Sequence, residues 1–318
     1  MASSHNDQAT ALSKDLLQAF DKVNGGPHPG FRPAHAKGIL LSGVFTPALS
    51  AASLTRAPHA QRTPTPVTVR FSDFAGIPTV ADNDPNGASP RGVAIRFHLA
   101  EHVHTDIIGH STDGFPVRTA EEFLEFLRAA GSSGPGAPKP TPIEVFLGSH
   151  PKALAFVQTP KPIPSSFARE SFFSVTAYKF TNGDGNSRFG RFRILPEGGN
   201  DFLDAAAAAA KSSNFLFDEM LERVAEGPVK LHIVVQLAES GDTVDDATVH
   251  WPEDRPRIEF GTVELTSVIP DDNEEKRRII FDPIPRVEGI ESSGDPLLEP
   301  RADLYLLSGR RRRAADVR

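Results

Sequence analysis

The spacing of apolar residues changes character near residue 27. Residues 8–23 carry apolar side chains at helical spacing and run into Gly25-Gly26-Pro27, which predicts an amphipathic helix with a sharp stop. Beyond it, segments 37–46, 66–73, 91–99, 171–180, 188–195, 229–238 and 257–268 are rich in Val, Ile, Phe and Thr, in short alternations divided by turn residues. They predict the strands of one antiparallel sheet or barrel, with Gly183-Asp-Gly-Asn as a turn between two of them. Between the third and fourth segments the spacing becomes helical again. Thr119-Ala-Glu-Glu122 fits a capping box, Phe123, Phe126 and Leu127 form an apolar stripe, and Gly131 closes the helix. A Pro/Gly/Ser loop from Gly131 to Pro140 leads to Thr141-Pro142, the cap and first position of another helix. Asp204 is expected to cap the alanines 205–210, and Ser213 a helix that stops at Gly227-Pro228. The polar run Pro270-Asp-Asp-Asn-Glu-Glu then precedes an extended segment and a final helix. The expected architecture is one α+β domain over 1–318. It comprises an N-terminal helix (1–27), a barrel with helical insertions (28–268), and a C-terminal segment with its helix (269–318).

Composition narrows the chemistry. The absence of cysteine excludes disulfides, thiolate ligands and cysteine nucleophiles. A net charge of -7 argues against a nucleic-acid partner. No apolar run approaches a bilayer span and Met1 to Asp21 lacks a signal-peptide pattern, so a cytoplasmic protein without membrane contact is expected. Arg310 to Arg313 reads mostly as a solvated basic tail.

Two positions could carry redox and proton chemistry. Tyr305 is one of only two tyrosines; Arg301, four residues earlier, and Arg312, seven later, share its helical face. A neighbouring cation lowers a phenol's pKa and favours the anion that can bind ferric iron. His35, in Arg32-Pro-Ala-His35-Ala-Lys-Gly38, suits work as base and then acid. His102-Val-His104 could present two imidazoles on one strand face, with no third ligand evident. No Gly-x-Gly-x-x-Gly follows a strand, so nicotinamide binding has no support.

These segments, with Val69-Arg70-Phe71-Ser72, Pro90-Arg91-Gly92-Val93-Ala94, Phe281-Asp-Pro, Gly289-Ile-Glu and Asp295-Pro-Leu-Leu-Glu-Pro-Arg301, resemble the haem catalases. The likeness runs over roughly residues 28 to 313 and is closest to the small catalase-related peroxidases. It implies a closed antiparallel β-barrel of the catalase type with inserted and C-terminal helices, and haem b (heme b) as cofactor. It implies Tyr305 as the iron ligand, with Arg301 drawing electron density from it and Asp295 orienting Arg301. It implies His35 as the distal acid/base, oriented by Ser72. Arg32, Arg70 and Arg312 would meet the haem propionates, and Phe115 and Phe123 would lie above the ring.

The sequence also departs from that pattern. After Asp106-Ile-Ile-Gly109 catalases carry an asparagine that helps place peroxide; here the residue is His110, or Ser111 if the register is one off. Thr176 and Gly309 stand where many catalases have histidines. The sequence is considerably shorter than full-length catalases, which implies a haem more open to organic donors. The expected function is a haem peroxidase that reduces hydrogen peroxide or organic peroxides with a small organic electron donor, with weaker catalase activity. The alternatives are mainly catalase activity, or a haem-binding, peroxide-sensing protein that is not an enzyme. A further one is rearrangement of fatty-acid hydroperoxides, against which Ala34 stands where those enzymes have threonine. A homodimer is the expected assembly.

Overall fold

Alternation of side chains along the strands decides which residues fill the core and which face the site. The computed structural model describes residues 2–270 and 278–315, so most of the polar run after Pro270 lies outside the described residues. The strands are β1 (Gly38–Pro47), β2 (Thr65–Ser72), β3 (Gly92–Ala100), β4 (Val103–His110), β5 (Ile163–Pro164), β6 (Phe172–Phe173), β7 (Tyr178–Thr181), β8 (Ser187–Pro196), β9 (Phe202–Leu203), β10 (Val229–Leu237), β11 (Arg257–Val268) and β12 (Ile290–Ser292). Eight of them close a ring in the order β1-β2-β3-β4-β6-β8-β10-β11, each pairing antiparallel and β11 returning to β1. Closure leaves the ring without a bare edge. The helices are α1 (Ala2–Val23), α2 (Ala51–Leu54), α3 (Ala120–Gly131), α4 (Pro142–Ser149), α5 (Pro151–Gln158), α6 (Ala205–Ala209), α7 (Phe215–Glu226) and α8 (Leu298–Ala314). No helix among the described residues is long and apolar enough to cross a membrane.

Odd-numbered residues of the first strands point into the ring. Val67, Val69 and Phe71 of β2, Val93, Ile95 and Phe97 of β3, and Ile107 of β4 join Phe45 and Phe260 in one buried cluster. Each fully buried aromatic or aliphatic side chain there contributes about 1.5–3 kcal/mol. The even-numbered residues Arg70, Ser72, Ala94, Ile108 and His110 face outward and line a cavity. That cavity is roofed by α1, α3 and α8, whose Leu16, Phe20, Ala120, Leu124 and Leu304 pack together.

The capping box expected at Thr119 forms with Glu122, the capping Thr141 forms a second box with Glu144, and Asp204 accepts from Ala207 N–H. Three expectations need correction. The segment 171–180 is two strands, because the Ser174 hydroxyl, in place of a backbone carbonyl, takes the Phe192 N–H at 2.8 Å. Helix α7 starts at Phe215, one residue later than a Ser213 cap requires; Asp82, far away in sequence, accepts from Leu216 N–H at 2.8 Å. His102 lies in the β3–β4 turn at φ 61° with its side chain 93% exposed, so the two imidazoles share no strand face. Among the described residues no group of three ligating side chains could hold a metal.

Candidate active site

One row of the barrel organises the site. Gly38 pairs with Ser72, Ser72 with Gly92, Gly92 with His110, and His110 with Phe173, across five adjacent strands. Ser72 and His110 therefore flank a glycine, and the gap left by its missing side chain receives the His35 ring. His35 sits just before β1 with φ 57°, a left-handed backbone that a histidine rarely adopts. Its N–H donates to the Phe74 carbonyl at 2.6 Å, and its own carbonyl accepts from Arg70 Nη2 at 2.9 Å. Ser72 Oγ meets His35 Nδ1 at 3.1 Å. The His35 and His110 rings stack with centroids 5.6 Å apart and planes 8° from parallel, while Phe74 meets His35 edge-on.

Burial, then His110, Arg70 and Arg32, hold the His35 imidazole well below its ordinary pKa. Burial, reinforced by Arg301, brings His110 down to about 3. Both rings are therefore neutral bases near pH 7. Ser111 turns away from the cavity: its hydroxyl accepts from Arg91 N–H at 2.9 Å, and its side chain bonds Glu170. His110, not Ser111, lines the cavity after Gly109.

Helix α8 supplies the other wall. Tyr305 and Arg301 both line the cavity, with the guanidinium 6.0 Å from the phenol ring centroid. Burial disfavours the Arg301 cation, but the hydrogen-bonded Tyr305, then Tyr178 and Asp295, outweigh it and raise its pKa. The chain's two tyrosines thus meet around one arginine. Tyr178 is held in turn by Thr176, whose hydroxyl donates to the phenol at 3.4 Å, and by the Pro283 carbonyl, which accepts from it at 3.2 Å. Asp295 accepts from Leu297 N–H at 2.9 Å; burial raises its pKa, although Leu297 and Arg301 oppose the rise. A Cβ at Gly309 would meet the side-chain tip of Ile280, which would have to give way.

Arg32, Arg70 and Arg312 gather at one end of the cavity. Arg32 and Arg312 each donate to the Ile279 carbonyl at 3.0 Å, and Arg312 also donates to Ser308 Oγ at 2.8 Å. Burial first and Arg312 second bring Arg70 down to about 9; burial first and Arg32 second bring Arg312 down to about 8. Arg32 is lowered by burial and then by Arg70. Nε of Arg70 and Nε of Arg312 are buried with no hydrogen-bond partner among the described residues. Three guanidiniums that depress one another, two with idle buried donors, form a cradle for carboxylates. Two more arginines of the basic run are tied down: Arg311 pairs with Asp21 and Arg313 with the Arg278 carbonyl.

The cavity measures about 550 Å³. Its apolar walls include Phe115 and Phe123, with ring centroids 4.9 Å apart, and Phe20, which meets Phe123 at 5.8 Å. The structure thus brings His35, Ser72, His110, Arg32, Arg70, Phe115, Phe123, Arg301, Tyr305 and Arg312 to one cavity, with Asp295 adjoining through Arg301. Sequence reasoning gave no role to Gly92 or Phe74, since nothing local reveals that a glycine two strands away makes room for a ring.

Comparison with known proteins agrees with this geometry. A family profile described as Catalase matches residues 17–317. A catalase-related peroxidase of Mycolicibacterium paratuberculosis is 33% identical over 306 residues, covering 94% of this chain and 95% of its own. A catalase-related peroxidase of Synechococcus elongatus is 31% identical, covering 94% of this chain and 88% of its own. The crystal structure of a fungal catalase superposes with a TM-score of 0.78 at 22% identity, over 89% of this chain and 59% of that one. Profile, near full-length relatives and barrel agree, and the chain belongs to the catalase family.

Proposed function

We propose that the protein is a haem peroxidase that reduces hydrogen peroxide or organic peroxides with electrons from a small organic donor. The observation that carries this reading is a single cavity lined both by a neutral imidazole held on a serine and by a phenol held on an arginine. Family membership implies haem, and the residues fit it: a phenol beside a guanidinium suits ferric iron, and the idle Nε donors of Arg70 and Arg312 suit two carboxylates. Tyr305 would hold the iron, Arg32, Arg70 and Arg312 the propionates, and Phe115 and Phe123 the ring, which we take to be haem b. When bound, the haem supplies the two-electron chemistry with peroxide that no side chain here can carry.

The chain's own residues do the rest. Ser72 occupies His35 Nδ1, which leaves Nε2 to take the first proton of the peroxide and return it to the departing oxygen. His110, parallel to that ring, offers a neutral imidazole to hydrogen-bond the same oxygens. Arg301, hydrogen-bonded to Tyr305 and facing Asp295, would hold that phenol in place toward the iron.

Absorption spectra of the purified protein before and after peroxide test this reading. Tyr305→Phe should lose or shift the haem bands. His35→Ala should keep them while responding to peroxide about 100-fold to 10,000-fold more slowly. Bound haem that never responds to peroxide would leave a haem-binding protein without turnover, and oxygen release without donor oxidation would make it mainly a catalase.

A further inference from the structure

The cavity wall carries five cations, Arg32, Arg70, Lys161, Arg301 and Arg312, and among the described residues no Asp or Glu lines it. In a chain of net charge -7, such a chamber draws anions. Four of the five have a place in the proposed reaction, Arg32, Arg70 and Arg312 at the propionates and Arg301 at Tyr305. Lys161 has none, and it stands in another part of the cavity. Of the lining residues only Pro85, Asn86, Val157 and Thr159 are exposed, so the segments 85–86 and 156–161 frame the opening to solvent. Asp84, beside that opening in sequence, turns back on its own loop and accepts the Asn86 N–H at 2.9 Å.

Lys161 is held at the opening by the end of α5. Its Nζ lies 5.0 Å from the Phe156 ring centroid and donates to the carbonyls of Phe156 at 3.0 Å, Thr159 at 3.1 Å and Val157 at 3.4 Å. Lys139 and Lys152, nearby in sequence, each pair with a carboxylate, whereas the partners of Lys161 are neutral. Partial burial strips water from this ammonium and lowers its pKa from 10.5, a cost that a carboxylate at the opening reverses. The Phe156 ring and Val157, 43% exposed, offer an apolar surface beside the charge.

We propose that Lys161 anchors the electron donor and that the donor is an aromatic carboxylic acid, its ring against Phe156 and Val157 and its carboxylate on the ammonium. This rests on the proposed peroxidase reading. Peroxide must travel inward to the buried His35, whereas a donor can act from the opening, so the anion held there is the donor. With a phenolic acid, each of two donor molecules gives up one electron and one proton, and hydrogen peroxide leaves as two waters.

The probes are 4-hydroxyphenylacetate and its neutral amide, 4-hydroxyphenylacetamide, which share a ring and a phenol and differ in charge. Calorimetry on the haem-loaded protein without peroxide should show the acid binding about tenfold more tightly than the amide. Lys161→Gln should abolish that difference and Lys161→Arg should keep it. Glutamine can still donate to the carbonyls that end α5, so the comparison tests the charge and not the helix cap. During turnover, KM for the acid should rise about tenfold in Lys161→Gln, with kcat and the KM for the amide unchanged. Equal binding of the two probes by wild type, binding of neither, or a difference that survives in Lys161→Gln overturns the proposal. A loss shared by Lys161→Arg assigns the lysine to the helix end and overturns it too. Failure of the peroxidase reading shows separately, as Lys161-dependent binding of an acid that peroxide never oxidises.

Discussion

A Cβ on Gly92 would stand 2.8 Å from both Cε1 and Nδ1 of His35, closer than real side chains approach. The Ser72 hydroxyl is 3.0 Å from the same point, so the ring cannot move toward it. Gly92→Ala must therefore displace the imidazole or spread β2 from β3. A displacement on the order of 1 Å costs about 100-fold when a proton must be transferred along one line. The expected result is kcat/KM for peroxide reduced about 100-fold with haem content unchanged, read by stopped-flow absorbance on protein of known haem loading. Wild-type kinetics in this variant would show that the ring's position does not limit the reaction.

Ser72→Ala removes one oxygen and little volume. Without it Nδ1 loses its 3.1 Å partner, and the ring keeps its stack on His110 and its edge-on contact with Phe74. Loss of a group that orients a reacting residue costs about tenfold to 100-fold. We expect kcat/KM to fall within that range, Ser72→Thr to recover part of it, and the thermal midpoint to move little. A midpoint that falls in step with activity would mean that Ser72 serves the barrel rather than the imidazole.

Much of this could be read before the structure was seen, for identifiable reasons. Helix caps are local, and Thr119 and Thr141 both cap their helices as expected. Motif residues such as His35, Ser72, Arg301 and Tyr305 could be named because their neighbours in sequence are distinctive. The register between strands is not local. That Ser72, Gly92 and His110 form one row depends on which strands pair and where, and this is set by the whole ring. The α7 start was misplaced for the same reason, since its cap, Asp82, comes from 134 residues away. Alternation does not mark β4, though His102-Val-His104 reads as strand, because its outward face carries His104, Asp106 and His110, which reads as polar until a partner for each is known. Arg96, on the adjacent strand, is the partner for Asp106, at 2.7 Å.

The arginine cradle makes a prediction about cofactor retention. Arg70 and Arg312 are buried at 5% and 3% exposure and each depresses a neighbouring guanidinium, so the empty cradle opposes folding and a dianion relieves it. A charged hydrogen bond is worth about 1.5–3 kcal/mol, or roughly tenfold to 100-fold in affinity. Arg70→Ala or Arg312→Ala should each weaken haem binding by that factor, measured as the rate of transfer to an apo-globin scavenger. The thermal midpoint of the haem-free protein should hold or rise in Arg312→Ala. A haem loss rate equal to wild type in both variants would place the propionates elsewhere.

His59 gives the barrel an acid limit that is independent of the cavity. It is 1% exposed, lies among Phe45, Phe97 and Phe260, and its Nδ1 has no hydrogen-bond partner among the described residues. Burial alone brings it from 6.5 to about 4. The unfolded chain therefore takes up the proton first as pH falls. Stability from the neutral ring is complete above 6.5, declines below it, and is lost once pH passes the folded value near 4. A difference of that size corresponds to about 3 kcal/mol. His59→Leu keeps an apolar side chain of similar bulk and cannot titrate. Urea midpoints of wild type and variant should therefore diverge as pH falls from 7 to 4, the wild type losing about 3 kcal/mol more. Because every other titrating group is common to both proteins, parallel curves would mean that His59 reaches water and a proton without unfolding the barrel.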